Sequence, residues 1–191
     1  MEVYTYIDKP KRKKYVVALN VMLAVMIAII LVLIILFSTI FATIAVIGQS
    51  MSPTLAEGDK LLLVKYGYKL QRGDIIVFQR EDKANVKRIL GLEGDIIQFD
   101  LDNLTWIVNG KPYNEEYVKN GYSENYFTPS NQSEKEVVDA ILSKEGLTVP
   151  QGQMFVLGDN RNIQGGKVSV DSHTNGTFDT SSIIGKVIKI Y

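Results

Sequence analysis

The chain has 191 residues, no cysteine, one histidine, and 21 basic side chains balanced by 21 acidic ones. That composition excludes a disulfide-stapled scaffold, a cysteine/histidine zinc module and a strongly cationic nucleic-acid binder. The even balance hides an asymmetry: residues 1–14 hold five bases against two acids, a net of +3 that leaves −3 for the remainder.

Tyr15 to Ile47 carries no charge at all. A helix rising about 1.5 Å per residue crosses the hydrocarbon in about 20 residues, so the run is longer than one span needs. Its composition changes on the way. Residues 16–36 are rich in Leu, Met, Ala and Ile, whereas 40–47 mix Thr and β-branched residues with small ones, which suits a strand. The pattern predicts a membrane helix over about 16–38 and a strand beyond it. The bases Lys11 to Lys14 precede the helix directly and mark the cytoplasmic side, so the remaining chain is expected outside the cytoplasm. A cleaved signal peptide would have a shorter apolar core ending in a small-x-small site, and Ala42 and Ala45 have the wrong spacing for one. The expected organisation is a cytoplasmic tail at 1–14, a single anchor at 15–39 and an extracytoplasmic domain at 40–191 with a peripheral insert at about 101–150.

Beyond the anchor, short β-type runs alternate with Gly, Asp and Asn, which predicts a mainly β, antiparallel domain. Strands are expected at 60–64, 74–79, 86–90, 95–99, 105–108, 154–157 and 183–190. Asn109-Gly110 is a hairpin turn signal joining 105–108 to the segment at Lys111. One helical pattern appears at 133–143, where Val137, Val138, Ile141 and Leu142 share a face. No internal repeat or low-complexity tract is present. Asn-x-Ser/Thr triplets at Asn103, Asn131 and Asn175 would accept glycans only in a eukaryotic secretory compartment.

One histidine and no cysteine leave only carboxylates for a metal, and no acidic cluster has calcium-loop spacing, so no metal or other cofactor is expected. A Ser-His-Asp triad would need His173, with Asp171 two residues away on the same expected strand and badly placed to orient it. Nucleophilic catalysis then falls to a serine activated by a lysine. Three strings supply the parts. In Gly48-Gln49-Ser50-Met51-Ser52-Pro53-Thr54, the glycine allows close approach and the proline fixes the turn, so the Ser50 hydroxyl and its own N–H can face one groove. Taken alone, such a serine is usually a polar turn residue. In Asn85-Val86-Lys87-Arg88-Ile89-Leu90-Gly91, alternation sends Lys87 and Arg88 to opposite faces, so one of the two charges is expected to face inward. Only the lysine can lose its charge on burial and act as a base, because guanidinium stays protonated. Phe155-Val156-Leu157-Gly158-Asp159-Asn160-Arg161 ends a strand in ordinary turn formers, with an arginine able to pair with Asp159 or Asn160. In the following Ser169-Val170-Asp171-Ser172-His173, Ser169 and Asp171 could orient a lysine amine.

With these strings in this order after one anchor, the chain resembles bacterial type I signal peptidases of the single-anchor, Gram-positive kind, which are membrane-bound Ser-Lys proteases. The resemblance covers the anchor, 48–55, 72–78, 87–95, the Asn109-Gly110-Lys111-Pro112 hairpin, and 149–161. It implies Ser50 as nucleophile, Lys87 as general base, the Ser50 N–H as oxyanion donor, and Ser169 and Asp171 as support for the lysine. Gly48, Gln49, Met51, Asn85 and Val86 would form the oxyanion and substrate groove, and Asp159, Asn160 and Arg161 a structural motif. It further implies signal-peptide-bearing precursors as partners alongside the lipid bilayer, no nucleic acid, and cleavage after small residues of the Ala-x-Ala type. Two features depart from the family pattern: Asn162 to Val168 make a longer link than usual, and His173 stands where arginine is common. The alternative reading is a signal-peptidase-like assembly factor for pilus subunits or surface proteins with little or no proteolysis. A soluble self-cleaving repressor of the related Ser-Lys type fits worse, because of the anchor.

Overall fold

The computed structural model describes residues 9–162 and 170–191, with backbone only for 9–12. The described chain divides into two compact units at the Ile40–Phe41 junction. The first is one helix, α1 (Lys9–Ile40). It starts earlier than the apolar pattern because Lys and Arg are good helix formers, and it runs on to Ile40, where the Ser38 and Thr39 hydroxyls donate back to the carbonyls of Ile35 and Leu36. Its Lys13–Ile40 portion has a mean hydropathy of 3.3 in its most apolar window and is long and apolar enough to cross a membrane.

The second unit contains β1 (Phe41–Ala45), β2 (Lys60–Val64), β3 (Ile75–Arg80), β4 (Lys83–Leu92), β5 (Ile96–Asp100), β6 (Thr105–Val108), β7 (Lys111–Pro112), α2 (Gln132–Leu142), β8 (Leu147–Thr148), β9 (Gln153–Leu157), α3 (Ser172–Asn175), β10 (Phe178–Asp179) and β11 (Ile183–Ile190). Seven strands form one sheet in the order β1-β2-β11-β3-β4-β9-β10, and four form another in the order β7-β6-β5-β8. Every pairing is antiparallel, as the alternating pattern predicts. Asn109 and Gly110 both take positive φ, 53° and 73°, and make the tight β6–β7 hairpin.

Two of the hydrophobic clusters bear on function. Met51, Leu55, Leu61, Leu63 and Val77 lie together under the loop after β1. Phe99, Trp106, Tyr126, Phe155 and Leu157 join the second sheet to α2 and to the inner strands. β7 is the second arm of the hairpin that Asn109-Gly110 signals, whereas β8, β10 and α3 carry too few residues to show a period, and the sequence pattern does not predict them as elements.

Gly185 in β11 crosses β2 where no side chain fits: a Cβ there would meet the Val64 carbonyl oxygen at 2.9 Å and Leu63 Cβ at 3.1 Å. Backbone cannot yield as a flexible side chain can. Gly185→Ala should therefore destabilise the domain by about 1–3 kcal/mol, read as a lower urea midpoint.

Candidate active site

The site is built on the loop that leaves β1. Its ends are closed by hydrogen bonds from the Val46 N–H to the Asp59 carbonyl at 2.8 Å and from the Gly58 N–H to the Val46 carbonyl at 2.9 Å. Gly48, at φ +88°, turns the chain where an L side chain would be strained. The next residues wind into a turn in which the Ser52 N–H donates to the Gln49 carbonyl (3.1 Å) and the Leu55 N–H to the Met51 carbonyl (2.9 Å). Met51 and Leu55 plunge into the core beneath, at 1% and 0% exposure. Met51 is thus a foundation of the turn. Its apolar side chain gains more from the Leu61–Leu63–Val77 cluster than from solvent. Gln49 remains exposed and Gly48 and Ser50 half-buried above it.

Across from this turn, β4 brings up Lys87, opposite Ile76 of β3 and only 3% exposed. Its Nζ stands 2.6 Å from Ser50 Oγ. Burial strips water from the ammonium and pushes the Lys87 pKa below the ordinary lysine value, against the opposing charges of Asp171 and Asp159. Asn85 is half-buried and its amide donates to the Lys83 carbonyl at 3.1 Å, while Val86 packs against the cluster under the turn.

Asn160 ties the two halves together. Its N–H donates to the Ser50 carbonyl (3.0 Å) and its side-chain amide to the Gln49 carbonyl (3.1 Å), so the peptide units around Ser50 are held by a residue 110 positions away. Among the described residues the Ser50 N–H meets no acceptor.

The family-model match "Signal peptidase, peptidase S26" covers residues 18–191. The chain belongs to that family. It is 38% identical over 150 residues to signal peptidase I P of Bacillus subtilis subsp. natto, covering 73% of this chain and 71% of the relative. To signal peptidase IB of Staphylococcus aureus it is 35% identical over 147 residues, covering 73% and 72%. A crystal structure of a signal peptidase I from Enterococcus faecalis matches with 35% identity and a TM-score of 0.46, over 64% of this chain and 98% of that one. The chain is accordingly a serine protease of the signal peptidase type, membrane-anchored through α1 and acting on signal-peptide-bearing precursors.

Around the contact between Ser50 and Lys87, this signal peptidase pairs its other charges differently from the sequence expectation. Both members of the Lys87–Arg88 pair are drawn in, not one. Arg88 lies under Tyr117, with its guanidinium carbon 4.1 Å from the ring centre, forks onto Asp159 at 2.9 and 2.6 Å, and donates to the Gly73 carbonyl. Asp159 is thereby taken by Arg88, and Arg161 turns away to Glu115, Tyr122 and the Gly158 carbonyl. Arg161 is 1% exposed, and a guanidinium that deep requires the carboxylate. Neither Glu115 nor Tyr117 stands out in sequence, since each is one polar residue in a polar stretch whose partner is 29 or more positions away.

Asp171 also departs from expectation. The segment is not a strand: Asp171 caps the N-terminus of α3, and the turn folds His173 back so that its Nδ1 contacts Asp171 Oδ1. An N-cap brings positions i and i+2 together, whereas a strand would hold them parallel. The His173 ring then stacks on Tyr126, 4.1 Å between centres and 10° between planes, while the Ser50 hydroxyl meets Lys87. Burial by itself would raise the Asp171 pKa; His173, Lys87 and Arg161 outweigh it and hold the carboxyl below the usual range. Ser169 lies outside the described residues. Among the described residues no group of His, Cys, Asp or Glu is arranged to hold a metal ion.

Asp159→Ala would leave the Arg88 guanidinium half-enclosed without its carboxylate. Removing one partner of such a pair is expected to cost about 3–5 kcal/mol, measured by chemical denaturation of the full chain in detergent.

Proposed function

We propose that this protein cleaves signal peptides from exported precursors with Ser50 as nucleophile and Lys87 as general base. The observation that carries the reading is the 2.6 Å contact between Lys87 Nζ and Ser50 Oγ inside a pocket that keeps the amine dry. A neutral amine takes the Ser50 proton as the oxygen attacks the scissile carbonyl, and the unengaged Ser50 N–H receives the developing oxyanion. The ammonium gives that proton to the nitrogen of the new N-terminus as it leaves and the acyl-enzyme forms, and the amine so restored takes a proton from the water that releases the signal peptide. Asp171 supports the lysine electrostatically, with Ser169 its expected hydrogen-bond partner, and Asn160 holds the nucleophile's turn.

Substrate fits as an extended strand. Among the described residues β1 is an edge strand, and β4 pairs with β9 only from Arg88 onward, which leaves residues 83–87 without a strand partner on that side. A peptide lying between the end of β1 and this part of β4 would pass Gly48, Gln49, Asn85 and Val86, with small side chains of the Ala-x-Ala kind at the first and third positions before the cut.

The topology completes the reading: a basic tail at 1–14 in the cytoplasm, an anchor at 15–39, and a catalytic domain at 40–191 on the outer face. Nine residues separate the end of α1 from Ser50 in sequence, a short tether to the bilayer in which a signal peptide lies. A purely structural role in pilus assembly lacks support, because the serine and lysine that chemistry needs are both present and in contact.

Ser50→Ala and Lys87→Ala should each lower cleavage of a precursor with an Ala-x-Ala site by about 10³-fold or more while leaving the protein folded, as followed by sequencing of the new N-terminus. The neutral fraction of Lys87 grows as pH climbs through its lowered pKa, so kcat/KM should rise with pH along that limb. A flat profile would remove the amine from the mechanism. Lys87→Met should raise the thermal midpoint of the inactive enzyme, since an apolar chain of similar length relieves the buried amine.

A further inference from the structure

In the mechanism above one backbone N–H, that of Ser50, receives the oxyanion. It belongs to the same peptide unit as the Gln49 carbonyl. The unit is planar and trans, so its C=O and its N–H point to opposite sides of the chain. Whatever holds the Gln49 oxygen on one side therefore fixes the direction of the Ser50 N–H on the other.

Among the described residues two donors hold that oxygen. The Ser52 N–H reaches it at 3.1 Å from within the turn, and the Asn160 side-chain amide reaches it at 3.1 Å from the segment that follows β9. The first donor is local and would follow the turn if the turn rotated; the second comes from across the domain and would not. The Asn160 carboxamide is itself fixed at both ends. Its Oδ1 accepts the Asn162 N–H at 3.2 Å, which leaves Nδ2 as the end that faces Gln49, and the residue is 9% exposed. The segment that carries it is anchored in turn: the Arg161 guanidinium donates to the Gly158 carbonyl at 2.6 Å and pairs with Glu115, and the Arg161 carbonyl accepts the Ser123 N–H at 3.2 Å.

Anchoring the turn does not need this side chain. Met51 and Leu55 are packed in the core, and the Asn160 backbone N–H holds the Ser50 carbonyl at 3.0 Å whatever side chain stands at 160. What the carboxamide adds is a grip on the one peptide plane whose other edge is the Ser50 N–H, which has no acceptor among the described residues. A donor on the carbonyl also polarises the peptide and makes the N–H of the same unit a stronger donor. Both effects serve charge that develops in the transition state, and neither improves binding of the uncleaved peptide.

We propose that Asn160 is a positioning residue that aims the Ser50 N–H at the oxyanion through the Gln49 carbonyl. This rests on the reading of Ser50 as nucleophile, and it gives a part in the reaction to a residue of a string expected to be structural.

The test compares the full chain in detergent with its Asn160→Ala variant, using two peptides of one Ala-x-Ala sequence. One ends in an aldehyde: Ser50 Oγ adds to its carbon, the carbonyl electron pair moves onto the oxygen as an oxyanion, and the hydroxyl proton passes to Lys87. The other ends in the matching alcohol, which has no carbonyl to attack. Inhibition by the aldehyde should weaken about tenfold in the variant, while inhibition by the alcohol stays within about twofold. On a precursor, kcat should fall about tenfold with KM within about twofold, and the midpoint of the acid limb should stay where the parent has it, because Lys87 is untouched.

A loss shared equally by aldehyde and alcohol, a loss confined to KM, or no loss at all would overturn the proposal and leave the dyad standing. A parent that binds the aldehyde no better than the alcohol would instead strike at Ser50 as nucleophile, and the proposal falls with it. Should Asn160→Ala fail to melt cooperatively, the isosteric Asn160→Asp makes the same comparison. It sets an oxygen against the Gln49 oxygen and should lose the preference for the aldehyde; a preference equal to the parent's would overturn the proposal.

Discussion

A lysine amine kept out of water, within hydrogen-bond distance of a serine hydroxyl, is the constraint to which the rest of this domain answers. An ammonium in that position is disfavoured by desolvation, and the neutral form that burial prefers is the form that accepts a proton. Burial and proton acceptance thus favour the same form of one amine. The fold does not compensate Lys87 with an adjacent carboxylate. It gives the near acids other partners: Asp159 is held by Arg88 and Asp171 by His173. Each acid still acts on the amine through space without forming an ion pair with it.

Ser50 is held by packing below and hydrogen bonding above. Met51 and Leu55 root the turn in the core, and Asn160 grips the Gln49 and Ser50 carbonyls. A turn fixed from both sides holds the Ser50 hydroxyl against the Lys87 amine. Arg161 continues the same logic outward. By pairing with Glu115 and Tyr122 it ties the turn that carries Asn160 to the second sheet's aromatic cluster.

Long periodic elements were legible in the sequence. Residues 60–64, 105–108 and 183–190 fall where the alternation of apolar side chains puts them, and α2 lies within a residue of its pattern. That Ser50 and Lys87 meet was legible because local chemistry narrows the choice: with a lone histidine set aside, few residues can activate a serine, and Lys87 sits on a strand beside apolar neighbours. The partners of Arg88, Arg161 and His173 were not legible. Each depends on a contact across the sheet or on a turn whose form appears only when the chain is folded. His173 illustrates the point: a strand pattern makes Asp171 and His173 parallel neighbours, and one N-cap makes them a pair.

The strand order carries a consequence for how such an enzyme comes to life. β11, late in the chain, lies between β2 and β3, and Asn160 reaches back to Gln49 and Ser50. A nascent chain that has reached only its first hundred or so residues has Ser50 and Lys87 but neither the strand that joins the sheet's halves nor the amide that grips the turn. The geometry that holds these two side chains together therefore assembles late in synthesis, once Asn160 and β11 have been made.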